Sequence, residues 1–280
     1  MRSIWAHTLV KNEARWLWYS VSSVADFVEK ILLWDTGSSD GTFKIIKELE
    51  KKFPGKIEFR ERPVNSAEEF ATARQEMLDA TKSDWILMLD GDEIWWDGSI
   101  RKVCETINKK GEKIESIIVP TINPVGDIFH YQEEAAGKYK FGKRQGHFNL
   151  RAVRRSIPGL HIGGVYGNEG WVDGEGRRIQ DRGSGKMEFV EAPYLHATYL
   201  QRAGEKKADS KVLKRKMKLK YELGIPFAPD YYYPEVFFKT KPEMVESLWQ
   251  TASLPYKFRA FFETPLRKIK RRIWEGRAGY

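Results

Sequence analysis

A single cysteine, Cys104, stands in 280 residues, so no internal disulfide can form and the composition fits a reducing compartment. No run of about 18 uncharged apolar residues occurs, so no transmembrane helix is expected. The first ten residues, MRSIWAHTLV, lack the apolar core of a secretory signal. These absences predict a cytoplasmic protein, free or peripheral on the inner face of a membrane. Internal repeats and low-complexity tracts are missing too. So is any recognised nucleic-acid-binding motif, which speaks against the nucleic-acid partner that a pI near 9.3 would invite.

What is present suffices for a core. Hydrophobic residues make up 41% of the chain and aromatics 13%, which argues against global disorder and for one large domain or two small ones. The net charge of +9 is uneven. Residues 201–280 hold 19 Lys+Arg against 9 Asp+Glu, leaving 29 against 30 for residues 1–200. A near-neutral body with a basic last third points to a local partner of opposite charge: anionic lipid, nucleic acid or a phosphorylated substrate.

Strand-like and helix-like segments alternate through the first hundred residues. SIWAHTLV, KILLWD, KIEFRE and DWILML are apolar enough for strands. NEARWLWYSVSSVADF, GTFKIIKELEKKF and EFATARQEMLDAT carry helical spacing between them. Asp40 can cap the second helix, and Ser66 with Glu69 forms a capping box before the third. This β-α-β-α-β-α-β order predicts a doubly wound, mostly parallel α/β sheet. Further on, ESIIVPT, GHFNLRAVRR and EFVEAPYLH read as strands, 123–147 as loop, and 158–186, with nine glycines, as loops around a site. AGEKKADSKVLKRKMKLKYEL is expected to form a basic helix, followed by a Pro- and Tyr-rich connector and a terminal helix.

The segment DWILMLDGDEIWW drives an apolar strand straight into Asp90, Asp92 and Glu93. Ligands of open α/β sheets sit outside the carboxyl ends of the strands. Side chains two apart on an extended chain point the same way, so Asp90 and Asp92 can converge, with Gly91 allowing a close backbone approach. A hard dication, Mg²⁺ or Mn²⁺, shared with substrate phosphates would relieve their repulsion. The plain alternative is a solvated acidic turn. Other strand ends carry related chemistry: Glu13 follows strand one, Asp35 ends strand two, and Arg74 on the third helix is placed to face a phosphate. Each also has a plain reading, as a helix-start acid, a turn-shaping acid and a surface charge.

LVKNEARWL, LLWDTGSSDGT, FATARQEML and DWILMLDGDE, in this order and spacing, resemble glycosyltransferase family 2 with its GT-A fold, over residues 3 to about 96 and more weakly to about 200. The resemblance implies a GT-A Rossmann-like domain at 1–200, with a nucleotide-sugar-binding half at 1–110 and an acceptor half at 111–200, and a basic helical extension at 201–280. Leu9, Val10 and Glu13 would line the nucleoside pocket and Asp35 would bond the base. Arg74 would sit near the donor, Asp90 near the ribose or the metal, and Asp92 on the metal that bridges the diphosphate. Thr36 stands where many members have a second acid.

Members of this fold often carry a general base on a late loop and a histidine ligand after a late strand. VYGNEGW and PYLHATYL offer Glu169 as that base and His196 as the third metal ligand, with Asp173 and Asp181 in reserve for the first and His147 and His161 for the second. An inverting transfer would use the base to take the proton of the acceptor hydroxyl. The implied partners are a nucleoside-diphosphate sugar and a glycan or lipid-linked acceptor of the cell envelope. Trp95 and Trp96 are expected in the core, while sugar stacking is the other role open to them and to Trp171.

At the end of the chain, Phe258, Phe261, Phe262, Leu266, Ile269 and Ile273 form an apolar helical stripe among seven cations, with Pro265 a kink or a second start. Residues 257–274 thus read as an anionic-membrane contact or as a helix docked on its own domain with a solvated basic face. Three other classes compete. A sugar-1-phosphate nucleotidyltransferase needs a glycine-rich basic loop after strand one, where this chain has VKNEARW. A nucleic-acid binder would show steep salt dependence. A GT-A scaffold without turnover would be indifferent to loss of Glu169 or Asp92.

Overall fold

The computed structural model describes residues 1–141, 143–164, 169–212 and 215–273. Through the first ninety residues it follows the alternation read above: β1 (Ile4–Val10), α1 (Leu17–Val24), β2 (Lys30–Asp35), α2 (Thr42–Lys52), β3 (Ile57–Glu61), α3 (Ala67–Ala80) and β4 (Trp85–Met88). Strand alternation divides β1 between two cores. Ala6 and Val10 join the large cluster under α1 and α2, while Trp5 and Leu9 pack with Trp34, Ala73 and Met77 beneath α3. The start of α3 is fixed by Ser66 Oγ, which accepts from Glu69 N at 3.2 Å. Glu69 answers by accepting from Asn65 N at 2.7 Å, one residue earlier than in a standard capping box.

The chain continues through β5 (Glu93–Trp95), α4 (Asp97–Lys110) and β6 (Ser116–Ile122). Residues 123–147, expected as loop, hold four short strands: β7 (Pro124–Val125), β8 (Asp127–Tyr131), β9 (Tyr139–Phe141) and β10 (Arg144–Gly146). Then come β11 (Phe148–Arg154), β12 (His161–Gly163) and β13 (Gly170–Val172). EFVEAPYLH is two strands rather than one, β14 (Met187–Phe189) and β15 (Tyr194–His196), both parallel to β6. Pro193 stands between them and has no N–H for a ladder bond.

The main sheet has nine strands in the order β3-β2-β1-β4-β11-β6-β15-β5, with β14 also on β6. The first four are mutually parallel. β11 runs antiparallel to both β4 and β6, and β5 antiparallel to β15. One edge therefore collects the carboxyl ends of β1, β2, β4 and β15 together with the amino ends of β11 and β5. Sequence-distant side chains meet on that edge.

The basic segment 203–223 does not form the long helix its composition suggests. Among the described residues only α5 (Lys206–Asp209) and α6 (Arg215–Lys218) are helical, before β16 (Ile225–Pro226). The cause lies in its charges: Asp209 and Arg215 turn inward to buried partners near β1, and a regular helix would not present both there. The last element is α7 (Leu254–Ile273), which runs through Pro265.

Candidate active site

Residues 89–93 leave β4, turn, and enter β5, which carries three acids onto the collecting edge. Asp92 and Glu93 are fully buried, and Asp90 is partly exposed. Buried carboxylates at such spacing need compensating cations, and three arginines from three other elements supply them. Arg74 from α3 stands 3.4 Å from Asp90. Arg151 from β11 pairs with Glu93, lies 3.6 Å from Asp90 and donates from Nε to Tyr194 Oη at 2.8 Å. Arg202 lies 3.0 Å from Asp92 while its Nε donates to Glu13 at 2.9 Å.

Arg151 gets there through a β-bulge. The register of β11 against β6 shifts between Leu150 and Ala152, so Arg151 falls at the irregularity, where a bulge can re-aim a side chain. Alternation of GHFNLRAVRR predicts the strand but not this shift, and the sequence reading missed Arg151. Arg202 and Arg215 were missed as well, counted only within the basic last third.

His196, the last residue of β15, faces Glu93 across the β5 pairing. Its Nε2 is 3.5 Å from Asp92 Oδ2 and 3.9 Å from Glu93 Oε1. Burial lowers the imidazole to about 4, against the pull of Asp92, so the ring is neutral near pH 7 and has a lone pair to offer. Asp90 is raised by burial, but Arg151 and Arg74 outweigh that and hold its carboxyl well below the usual range. Burial, with Asp90 and Asp92 alongside, pushes Glu93 up against the attraction of Arg151.

Asp90, Glu93 and His196 have ligand atoms within 4.8 Å of one another, a set able to hold a metal ion. The expected pair, Asp92 and His196, is adjacent to it. Both Asp92 oxygens are buried with no hydrogen bond, and none closes the gap to His196. Two ligands at adjacent corners of one octahedral ion lie roughly 3 Å apart, so the gap suits a shared hard dication. Of the other histidines proposed for this place, His147 is tied to Asn123 and the Glu133 carbonyl, and His161 is exposed on β12.

Glu169 is brought to the same group, 3.9 Å from Arg74 Nε. The stretch before it, 165–168 of VYGNEGW, lies outside the described residues. Asp173 is consumed by its own turn, accepting from Glu175 N and Arg177 N, and Asp181 sits on an exposed turn.

The expected nucleoside-pocket residues differ in what they leave free. Leu9 and Val10 are buried in the two cores because α3 covers one face of β1 and α1 and α2 the other. Glu13 is buried between Arg202 and Arg215. Asp35, raised by burial, accepts from Ser38 Oγ at 2.6 Å and shapes the 35–38 turn. At Gly91 a Cβ would meet Glu13 Cγ at 2.9 Å and Val10 Cγ1 at 3.1 Å, so packing alone requires glycine there. Asn12, within the segment Leu9 to Glu13 that the resemblance assigns to the pocket, holds this corner together at φ +56°, bonding Ser38 Oγ, Ser39 N and the Ala208 carbonyl.

Trp95 is core, stacked on Tyr194 at 4.7 Å, and Trp171 is buried against Met88. Trp96 is half-buried and donates to the Tyr232 carbonyl. A cleft of about 720 Å³ lies at the opposite end of the sheet, lined by Arg2, Asp84, Glu112 and Arg154. Arg2 and Arg154 there are already ion-paired, and the acidic cluster lies at the other end.

Comparison with known proteins places this geometry. The sequence profile described as Glycosyl transferase family 2 matches residues 7–162, more than half of the chain. A TPR repeat-containing protein of Synechococcus elongatus is 35% identical over 85 residues, 30% of this chain and 19% of that protein. Among solved structures, S. aureus TarS 1-349 in complex with UDP-GlcNAc superposes with a TM-score of 0.50 at 13% identity, covering 75% of this chain and 62% of that one. Glucosyl-3-phosphoglycerate synthase from Mycobacterium tuberculosis, in complex with Mn²⁺ and UDP-glucose, gives 0.45 at 19% identity, covering 70% and 71%. The chain thus spans about a fifth of the curated relative and less than two thirds of the TarS chain.

Proposed function

The chain belongs to glycosyl transferase family 2 and has the GT-A fold, and on that premise we propose that it is an inverting, metal-dependent glycosyltransferase. It would move a sugar from a nucleoside-diphosphate sugar to a hydroxyl of a glycan or lipid-linked acceptor of the cell envelope. The observation that carries this reading is the buried carboxylate of Asp92, without hydrogen bonds, beside a neutral His196.

These residues fit Mn²⁺ or Mg²⁺. Asp92 and His196 would hold the ion, with Asp90 and Glu93 beside them. When bound, it supplies positive charge against the diphosphate of the donor. Arg74 would meet the same phosphates from α3, and Asp90 would orient Arg74 and the ribose. Asp35 would receive the base at the end of β2. The Gly91 turn would hold Asp90 and Asp92 in register, while Leu9, Val10 and Glu13 would support the nucleoside pocket from behind. Glu169, beside Arg74, would take the proton of the acceptor hydroxyl as its oxygen bonds the anomeric carbon and the bond to the diphosphate breaks. UDP is the first donor base to try, because TarS holds UDP-GlcNAc. We place the protein in the cytoplasm, with α7 at the inner face of a membrane.

A second reading, a GT-A scaffold without turnover, draws on Arg202, which neutralises Asp92 with no metal. Release of nucleoside diphosphate from UDP-, GDP- and dTDP-sugars decides between them. Turnover should fall by about 10²-fold or more in Glu169→Gln and be lost in Asp92→Asn, at unchanged circular dichroism. No release above background by wild type would leave only the scaffold, and equal release by wild type and both variants would remove Glu169 and Asp92 from the mechanism.

A further inference from the structure

A helix lying on its own domain normally turns its apolar stripe inward. α7 does the reverse. Its docking face is small and polar: Ala260 and Thr264 are buried, Thr264 Oγ1 accepts from Leu223 N at 3.0 Å, and Tyr256 Oη donates to the Lys220 carbonyl at 2.7 Å. Arg271 closes the far end on Glu222 and Glu133. At 3.6 residues per turn, the stripe Phe258, Phe261, Phe262, Leu266, Ile269 and Ile273 lies roughly 180° from that face. Each of these six side chains is 53–79% exposed. The phenylalanine rings meet one another, with Phe262 5.1 Å from Phe258 and 5.3 Å from Phe261.

Cations bracket the stripe. Lys257, Lys268 and Arg272 fall along one margin, all exposed, while on the other Arg259 pairs with Glu263, the lone acid of the helix, and lies over the Tyr221 ring. Among the described residues, no helix is long and apolar enough to cross a membrane.

We propose that α7 is an interfacial helix that docks the protein on an anionic bilayer, with its apolar stripe in the acyl boundary and the margin of Lys257, Lys268 and Arg272 on the headgroups. This deepens the membrane placement under the proposed function. A second copy of the chain is the poorer occupant, because facing stripes would bring two basic margins together. The polar docking face explains how the helix stays attached while its apolar side is given away. Its anchors at Glu133 and Glu222, and Gly126 beneath the Tyr256 ring, tie it to the residues around β8, in the half assigned to the acceptor. A lipid-linked acceptor would be presented to that half.

The test is flotation of the full chain with phosphatidylcholine vesicles and with vesicles containing phosphatidylglycerol. The protein should float with the anionic vesicles, stay behind with phosphatidylcholine alone, and be released by high salt. Phe258→Ser/Phe262→Ser should weaken flotation by roughly tenfold or more, and Lys257→Glu/Lys268→Glu should also weaken it, with melting temperatures unchanged because these side chains face away from the fold. No flotation of wild type, equal flotation of the variants, or a dimer that the phenylalanine changes convert to monomer would each overturn the proposal. Nucleotide binding by the same variants keeps a failure here separate from a failure of the donor site.

Discussion

His7 shows what a single buried side chain does to the fold's tolerance of acid. It sits fully enclosed on β1, with Nε2 2.6 Å from Thr81 Oγ1. Burial, with Arg74 nearby, takes its imidazole from 6.5 down to about 3. Between those values the unfolded chain binds a proton that the folded chain refuses, so stability falls as pH drops through 6.5. Urea titrations should show wild type losing about 2 kcal/mol more than His7→Gln between about pH 7.5 and about pH 5. Equal losses would mean the ring is protonated in the fold. At this scale the sequence was readable in part. Asp90, Asp92, Glu169, Arg74 and His196 were all legible, because strand ends and loop acids show in the pattern of residues, and the structure gathers them. Their counter-charges were not: Arg202 and Arg215 reach Glu13 across some 190–200 positions of sequence, and nothing local marks a basic residue that will be buried.

Among elements, β11 matters most to the site. Its bulge places Arg151 between Glu93 and Asp90, and Asn149 and Arg151 both bond Tyr194 Oη. Removing the guanidinium would leave the ionised Asp90 and the buried Glu93 carboxyl without the cation they share. Arg151→Met should therefore cost about 3–5 kcal/mol of folding stability, measured by urea unfolding, whereas Arg151→Lys should recover part of it. An unchanged midpoint for Arg151→Met would show that neither carboxyl depends on that cation. Periodicity found β11 but not its bulge, because one inserted residue alters pairing without altering composition. The error over 203–223 has the opposite origin. Helical propensity and charge were read correctly there, and tertiary pairing of Asp209 and Arg215 overrode them. For α7 the helix was legible and its orientation was not, because the wheel gives two faces and only contacts decide which one docks.

For the whole molecule, the order of elements through β4 followed from alternation and crossover handedness, and so did the edge on which the strand-end acids gather. The antiparallel insertion of β11, and the return of β15 to the far side with β5 beyond it, did not follow, because long-range pairing leaves little local signature. Yet those strands bring Arg151 and His196 to the acids, so the first four strands alone do not complete the cluster. The claim that the whole edge forms one metal and nucleotide site is tested most directly by thermal shift. UDP, GDP, dTDP and CMP would each be added with and without Mn²⁺ to wild type, Asp92→Ala and Asp92→Asn, with the unliganded melting of each variant as the folding control. A ligand that binds the folded state raises its melting temperature. One nucleoside diphosphate should raise that of wild type only when Mn²⁺ is present, and both variants should lose the effect. No shift with any nucleotide, or a shift indifferent to Mn²⁺ and to Asp92, would contradict a metal-bridged donor site on this edge.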